Sequence, residues 1–169
     1  SPPGEANAPA SSPSPWVFPV GRLDYDSEGL LLFTNDGLLG DALTSPECHV
    51  QKVYRVFLDH QPSPEELRRL EQGISLLDYV TLPCKVEIEA PPSDNDRVGN
   101  KSQKGKWVRI AIREGKNRQV RRMFAAVGCE VQRLIRIRFG PLELGDLPVG
   151  QWRELTAHEV SALRRVVGA

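Results

Sequence analysis

Cysteine is scarce in this chain. The three present, Cys48, Cys84 and Cys129, are odd in number and widely spaced. That argues against a disulfide framework and for reduced thiols in a cytoplasmic protein. No Cys-x-x-Cys or His-x-x-x-His pair occurs, so the spacing predicts no metal site. Long hydrophobic runs are missing too. None approaches the roughly 20 residues that a membrane helix needs. The opening SPPGEANAPASSPSP lacks the basic end and apolar stretch of a secretory signal. It also lacks an initial Met, and a trimmed chain is expected. Net charge is absent, with 22 Lys and Arg against 22 Asp and Glu.

What is present is enough for one folded unit. Hydrophobic residues make up 40% of 169, which suits a single core and is too little for two full domains. Residues 1–15 read as a disordered Pro/Ser-rich tail or linker, and residues 16–169 as one domain. The zero net charge conceals a strong asymmetry. Between Arg97 and Arg138 there are 13 basic residues and only two acids, Glu114 and Glu130. One basic stretch on an otherwise acidic chain points to a polyanionic partner, nucleic acid above all, with a solvated basic face as the plain alternative.

Short strands and a few helices are legible along the chain. Val17–Val20, Leu30–Thr34, Val50–Leu58, Thr81–Ala90, Lys106–Arg113 and Val131–Phe139 have β composition or alternation. Gln151–Leu155 is a further candidate strand. Ser63-Pro64-Glu65-Glu66 and Thr156-x-x-Glu159 are capping boxes opening helices, the first running to about Gln72. Leu38–Leu43 reads as a short helix. Arg118–Val127 has helical spacing, with Val120, Met123, Phe124 and Val127 on one side. Residues 90–105 read as a loop. The sum is an α+β domain with a mainly antiparallel central sheet flanked by a few helices.

The segment GRLDYDSEGLLLFTNDG (21–37) sets three acids in alternation ahead of a buried run. Asp24-x-Asp26-x-Glu28-Gly29 matches the first half of a calcium loop, but Leu32 and Asn35 stand where the later ligands are needed. Without further information, the acids would be assigned to capping the turn before the strand.

Taken with KVYRV (52–56), EGKNRQVRRMFAAVG (114–128) and RLIRIRFGPLELGDLPVGQWREL (133–155), this segment resembles the pseudouridine synthases of ribosomal RNA. The resemblance is to the RsuA-type branch, whose motif runs G-R-L-D-x-x-[TS]-x-G-L-L-L-x-T-N-D-G. It extends from about Val17 to the C-terminus. Ser27 stands where threonine is common. Many members carry a small S4-like RNA-binding domain ahead of the catalytic one. Here only the Pro/Ser-rich stretch precedes Trp16, so either that domain was trimmed or the chain is of the branch without it; this, with GISLLDYVTLPC (73–84), tilts the resemblance towards the RluE-like members that modify large-subunit RNA.

The resemblance implies a pseudouridine synthase fold with a catalytic cleft. It also implies isomerisation of one uridine of ribosomal RNA without cofactor or metal. The freed uracil is rejoined to the sugar through carbon, which calls for a carboxylate nucleophile. That role falls to Asp24, with attack at ribose C1′, at base C6 or through a glycal left open. Arg121 becomes its ion-pair partner, keeping it ionised. Tyr54 stacks on the base and takes part in proton removal at C5. Leu134 forms part of the pocket wall. Arg22, at a position that helps displace the nucleotide from its stack in relatives, joins Lys52, Lys116, Arg118, Arg122 and Arg136 as expected RNA contacts. Asp26 and Glu28 are expected to shape the turn. The protein is expected to be monomeric. Apart from the resemblance, Arg121 reads as a phosphate contact or surface charge and Tyr54 as a core aromatic. The competing class is a non-catalytic RNA-binding module acting in ribosome assembly.

Overall fold

The computed structural model describes residues 16–89 and 106–168. The expected tail at 1–15 and loop at 90–105 lie outside them. Within the described residues the chain runs β1 (Phe18–Pro19), β2 (Glu28–Gly29), β3 (Phe33–Thr34), α1 (Gly37–Thr44), β4 (Lys52–Leu58), α2 (Pro64–Gln72), β5 (Lys85–Ile88), β6 (Trp107–Ile112), α3 (Gln119–Ala126), β7 (Val131–Phe139), β8 (Leu142–Glu143) and α4 (Ala157–Val166). The expected α+β class is the class observed. Gln151–Leu155 is not a strand. Within the run at 30–34 only Phe33–Thr34 is a strand; the earlier residues make single backbone bonds, Leu30 N–H to Arg136 O at 2.8 Å and Val20 N–H to Leu32 O at 2.7 Å, without a continuous ladder.

The main sheet has the order β2-β7-β4-β6-β5, with β8 on the far end of β7. All its pairings are antiparallel except β2 with β7. β1 and β3 form a separate two-stranded antiparallel sheet. The long strand β4 sits at the centre because alternate residues find partners on both faces. Val56, Leu58, Val108, Ile110 and Leu134 turn to one side, where Leu70 of α2 and Val120, Met123 and Phe124 of α3 cover them. A second core gathers Val20, Leu32, Leu43 of α1, Phe139, Leu142 and Leu163 of α4. Burying a side chain of this kind is worth about 1.5–3 kcal/mol.

Two details position the site. The β4–β7 register shifts between Val53, opposite Arg138, and Tyr54, opposite Arg136. An extra β7 residue is therefore accommodated beside Tyr54, and such bulges re-aim neighbouring side chains. Gly29 has φ +110°, and a Cβ there would overlap the Arg136 carbonyl. Only glycine lets the short β2 approach β7 so closely, and this approach draws the acidic turn to the edge of the sheet.

Candidate active site

Asp24 lies in the turn between β1 and β2, closed by Ser27 N–H donating to Asp24 O at 2.9 Å. Its side chain is 28% exposed. The nearest described cation is Arg118, whose Nη1 is 3.9 Å from Asp24 Oδ2, beyond hydrogen-bonding reach.

Asp26 is held far more tightly. Arg118 donates from Nη1 to Oδ1 at 3.0 Å and from Nη2 to Oδ2 at 2.9 Å. Arg121 donates from Nη2 to the Asp26 carbonyl at 2.7 Å and from Nη1 to Val131 O at 3.2 Å. Its Nε lies 3.4 Å from Asp26 Oδ2. The fork-on-carboxylate pairing gives direction as well as charge. The Arg118 hydrogen bonds first, and the charge of Arg121 after them, hold the Asp26 carboxyl below its ordinary range.

The expected Asp24–Arg121 pair is therefore corrected. Arg121 engages Asp26, and Arg118 is the guanidinium that reaches towards Asp24. The two arginines lie three residues apart near the start of one helix, so both reach the same turn. Sequence position alone does not decide which aspartate each one meets. Arg118, expected as an RNA contact, is engaged in this ion pair with its side chain 38% exposed. Asp26 shapes the turn, as expected, by anchoring both arginines.

The helix bearing these arginines starts unusually. Arg118, at the N-cap of α3, has φ 52° and makes no capping hydrogen bond through its side chain. Among the described residues it is the one non-glycine with positive φ. Such a conformation costs energy, and the surrounding structure must hold it in place. Here the two bonds to Asp26 do so.

Tyr54 is partly buried against the sheet core. Burial pushes its phenol up, the adjacent Arg136 guanidinium pulls it down, and the nearby Asp24 carboxylate pushes it up again. Asp24 thus lies close enough for its charge to act on the Tyr54 phenol. Leu134 is buried in the same core.

Arg136 is only 4% exposed. Its Nε donates to Leu30 O at 2.9 Å, and its guanidinium lies 5.2 Å from the Phe139 ring centre. Its expected contact with RNA is not met, because β7 turns this residue inward beside Tyr54. Lys52, two residues before Tyr54 on β4, is half-buried; burial and then the charge of Arg136 lower its amine. Arg122 pairs with Asp78 instead of standing free. Lys116 is exposed and sits 5.0 Å from the Tyr79 ring centre. Arg22 is exposed. Tyr25, unremarked in the sequence, is 95% exposed between the two aspartates, with the Arg118 guanidinium 5.9 Å from its ring centre. Its signal was simple: an aromatic inside an acidic turn has no apolar neighbours to bury it.

The calcium alternative fails on charge. Asp26 faces two guanidinium groups, and Glu28 accepts from Arg133 Nε at 2.6 Å. A cation has no vacant carboxylate pair to enter.

A family model described as RNA pseudouridylate synthase matches residues 5–126. The chain belongs to that family. Three relatives are similar to this chain. The ribosomal large subunit pseudouridine synthase E of Vibrio parahaemolyticus is 43% identical over 82% of this chain and 60% of its own length. The ribosomal large subunit pseudouridine synthase B of Bacillus subtilis is 42% identical over 88% and 57%. The synthase E of Xanthomonas campestris is 41% identical over 89% and 83%. The chain thus spans about three-fifths of the length of the first two. A crystal structure of a pseudouridylate synthase superposes with a TM-score of 0.76 at 34% identity, covering 88% of this chain and 60% of that one. The family resemblance read from the four motifs is borne out, and the relatives named E and B agree with the RsuA-type branch.

Proposed function

We propose that this chain carries the catalytic unit of an enzyme that converts one uridine of large-subunit ribosomal RNA to pseudouridine. Asp24 is the nucleophile. The observation carrying this reading is the unequal treatment of two neighbouring acids. Asp26 spends its carboxylate on Arg118 and its carbonyl on Arg121, whereas the Asp24 carboxylate stands 3.9 Å from the same Arg118. A carboxylate that faces a cation without being hydrogen-bonded to it keeps its oxygens available for attack.

In this reading Arg118 steadies Asp24 through charge while Asp26 fixes Arg118. Tyr54 stacks on the extruded uracil, and once C5 has bonded to C1′ its hydroxyl helps remove the C5 proton, passing its own proton on to solvent as the base regains its unsaturated ring. Leu134 supplies apolar support beneath the base. Arg22, Lys52 and Lys116 meet RNA phosphates, and Tyr25 stacks against a flanking base. Turnover requires neither cofactor nor metal, and the chain works as a monomer.

The test is to map pseudouridines in ribosomal RNA from cells with and without the protein. The expected result is one large-subunit uridine that is modified only when the protein is present. An identical map in both would overturn the reading. The RNA-binding-module alternative rests on no feature of the described residues that the enzyme reading leaves unused.

A further inference from the structure

Away from the aspartate turn, three side chains converge that share no sequence motif. His60 follows β4, Glu66 lies in the first turn of α2, and Cys129 lies between α3 and β7. One ligand atom from each falls within 4.8 Å of the others. Cys129 Sγ and His60 Nε2 are 3.5 Å apart. A tetrahedral zinc with the usual bond lengths sets its sulfur and nitrogen ligands about 3.6 Å apart. Cys129 is only 1% exposed, so one ligand is already desolvated.

The histidine is also prepared for such a role. His60 Nδ1 lies 3.1 Å from Asp59 Oδ1. A proton shared there leaves the Nε2 lone pair facing Cys129, the arrangement found behind most metal-bound histidines. Asp59 is itself fixed, because Glu130 N–H donates to its Oδ1 at 2.8 Å and its own N–H donates to Glu130 O at 3.0 Å. Glu66 is held by the α2 capping box, its Oε2 accepting from Ser63 N–H at 3.1 Å. The backbone that bears each ligand is therefore positioned by bonds independent of any ion.

We propose that His60, Glu66 and Cys129 bind one divalent ion of the zinc class, with Asp59 orienting the histidine. The thiol and imidazole select this class over magnesium or calcium, which prefer oxygen donors. Three protein ligands leave a fourth position for water. The ion would cross-link the end of β4, the start of α2 and the α3–β7 turn, releasing the thiol proton as it binds. The expectation from sequence that no metal binds rested on local spacing, and these ligands are spread over 70 positions of the chain.

The test is titration of the purified chain with Co²⁺, which reports thiolate ligation by a near-ultraviolet charge-transfer band, followed by displacement with Zn²⁺. The expected result is one equivalent of Co²⁺ with that band, lost on adding one equivalent of Zn²⁺. Cys129→Ser should abolish the band. Glu66→Gln retains an acceptor for the capping box. It should leave the metal-free melting temperature unchanged while weakening Zn²⁺ binding at least about tenfold. Absence of the band in the wild-type chain, or Zn²⁺ affinity unaltered in both variants, would overturn the proposal.

Discussion

Helices α2 and α4 begin differently from α3. Ser63 and Thr156 each accept from the backbone N–H three residues on, while Glu66 and Glu159 return the bond to the capping backbone. Helix α3 has no such device. It starts from Arg118 in the left-handed region, with no side-chain cap. The first two starts are solutions to helix stability. The third forgoes that stability and places two guanidinium groups on one acidic turn. Strain that persists next to a charged site marks where position matters more than local energy.

The contrast breaks most sharply at Asp24. Asp24→Asn should lower pseudouridine formation by about a thousandfold or more while RNA affinity stays within a few-fold, read by a product assay beside a binding titration. Arg118→Gly comes next. Glycine accepts the left-handed backbone without cost, so thermal stability should change little. Turnover should still fall about a hundredfold, because Asp26 then fixes no charge beside Asp24. At α2 the pattern should reverse. Ser63→Ala should cost about 1 kcal/mol of stability, visible in denaturant melts, with turnover unchanged.

The smallest effect is an acid one at α4. The bonds from Arg153 Nη1 and Nη2 to Glu159, at 2.7 and 2.8 Å, and then its role in the Thr156 cap, lower the Glu159 carboxyl from 4.5 to about 2. A depressed folded value means the unfolded chain takes up the proton first. The stabilisation is full above pH 4.5 and fades as pH falls towards 2. Glu159→Gln should flatten the melting temperature across that window without touching turnover at neutral pH.

The regular parts of the fold were the most legible in sequence. Capping boxes and hydrophobic spacing located α2 and α3 within a residue or two and marked the start of α4, since those signals are local. Strand ends were less legible. Thr81–Ala90 reduces to Lys85–Ile88, because pairing depends on where a neighbour stops. The basic stretch was legible as charge, but the acids that pair with it were not. Arg109, Arg118, Arg122, Arg133 and Arg138 meet Glu89, Asp26, Asp78, Glu28 and Glu143 from elsewhere in the chain. Much of the asymmetry along the sequence thus cancels in space. The identity of the aspartate facing each arginine was not legible, because it depends on the strained backbone at Arg118 and on the turn at Asp24–Ser27.

The central claim is that two acids two residues apart divide the work, one reacting and the other holding. The most direct measurement places Asp24→Asn and Asp26→Asn side by side and reads turnover and melting temperature for each. The account predicts that Asp24→Asn is inactive and melts like the wild type, whereas Asp26→Asn melts lower, keeps measurable turnover and loses it further as salt is raised. An active Asp24→Asn beside an inactive, undiminished-melting Asp26→Asn would contradict it.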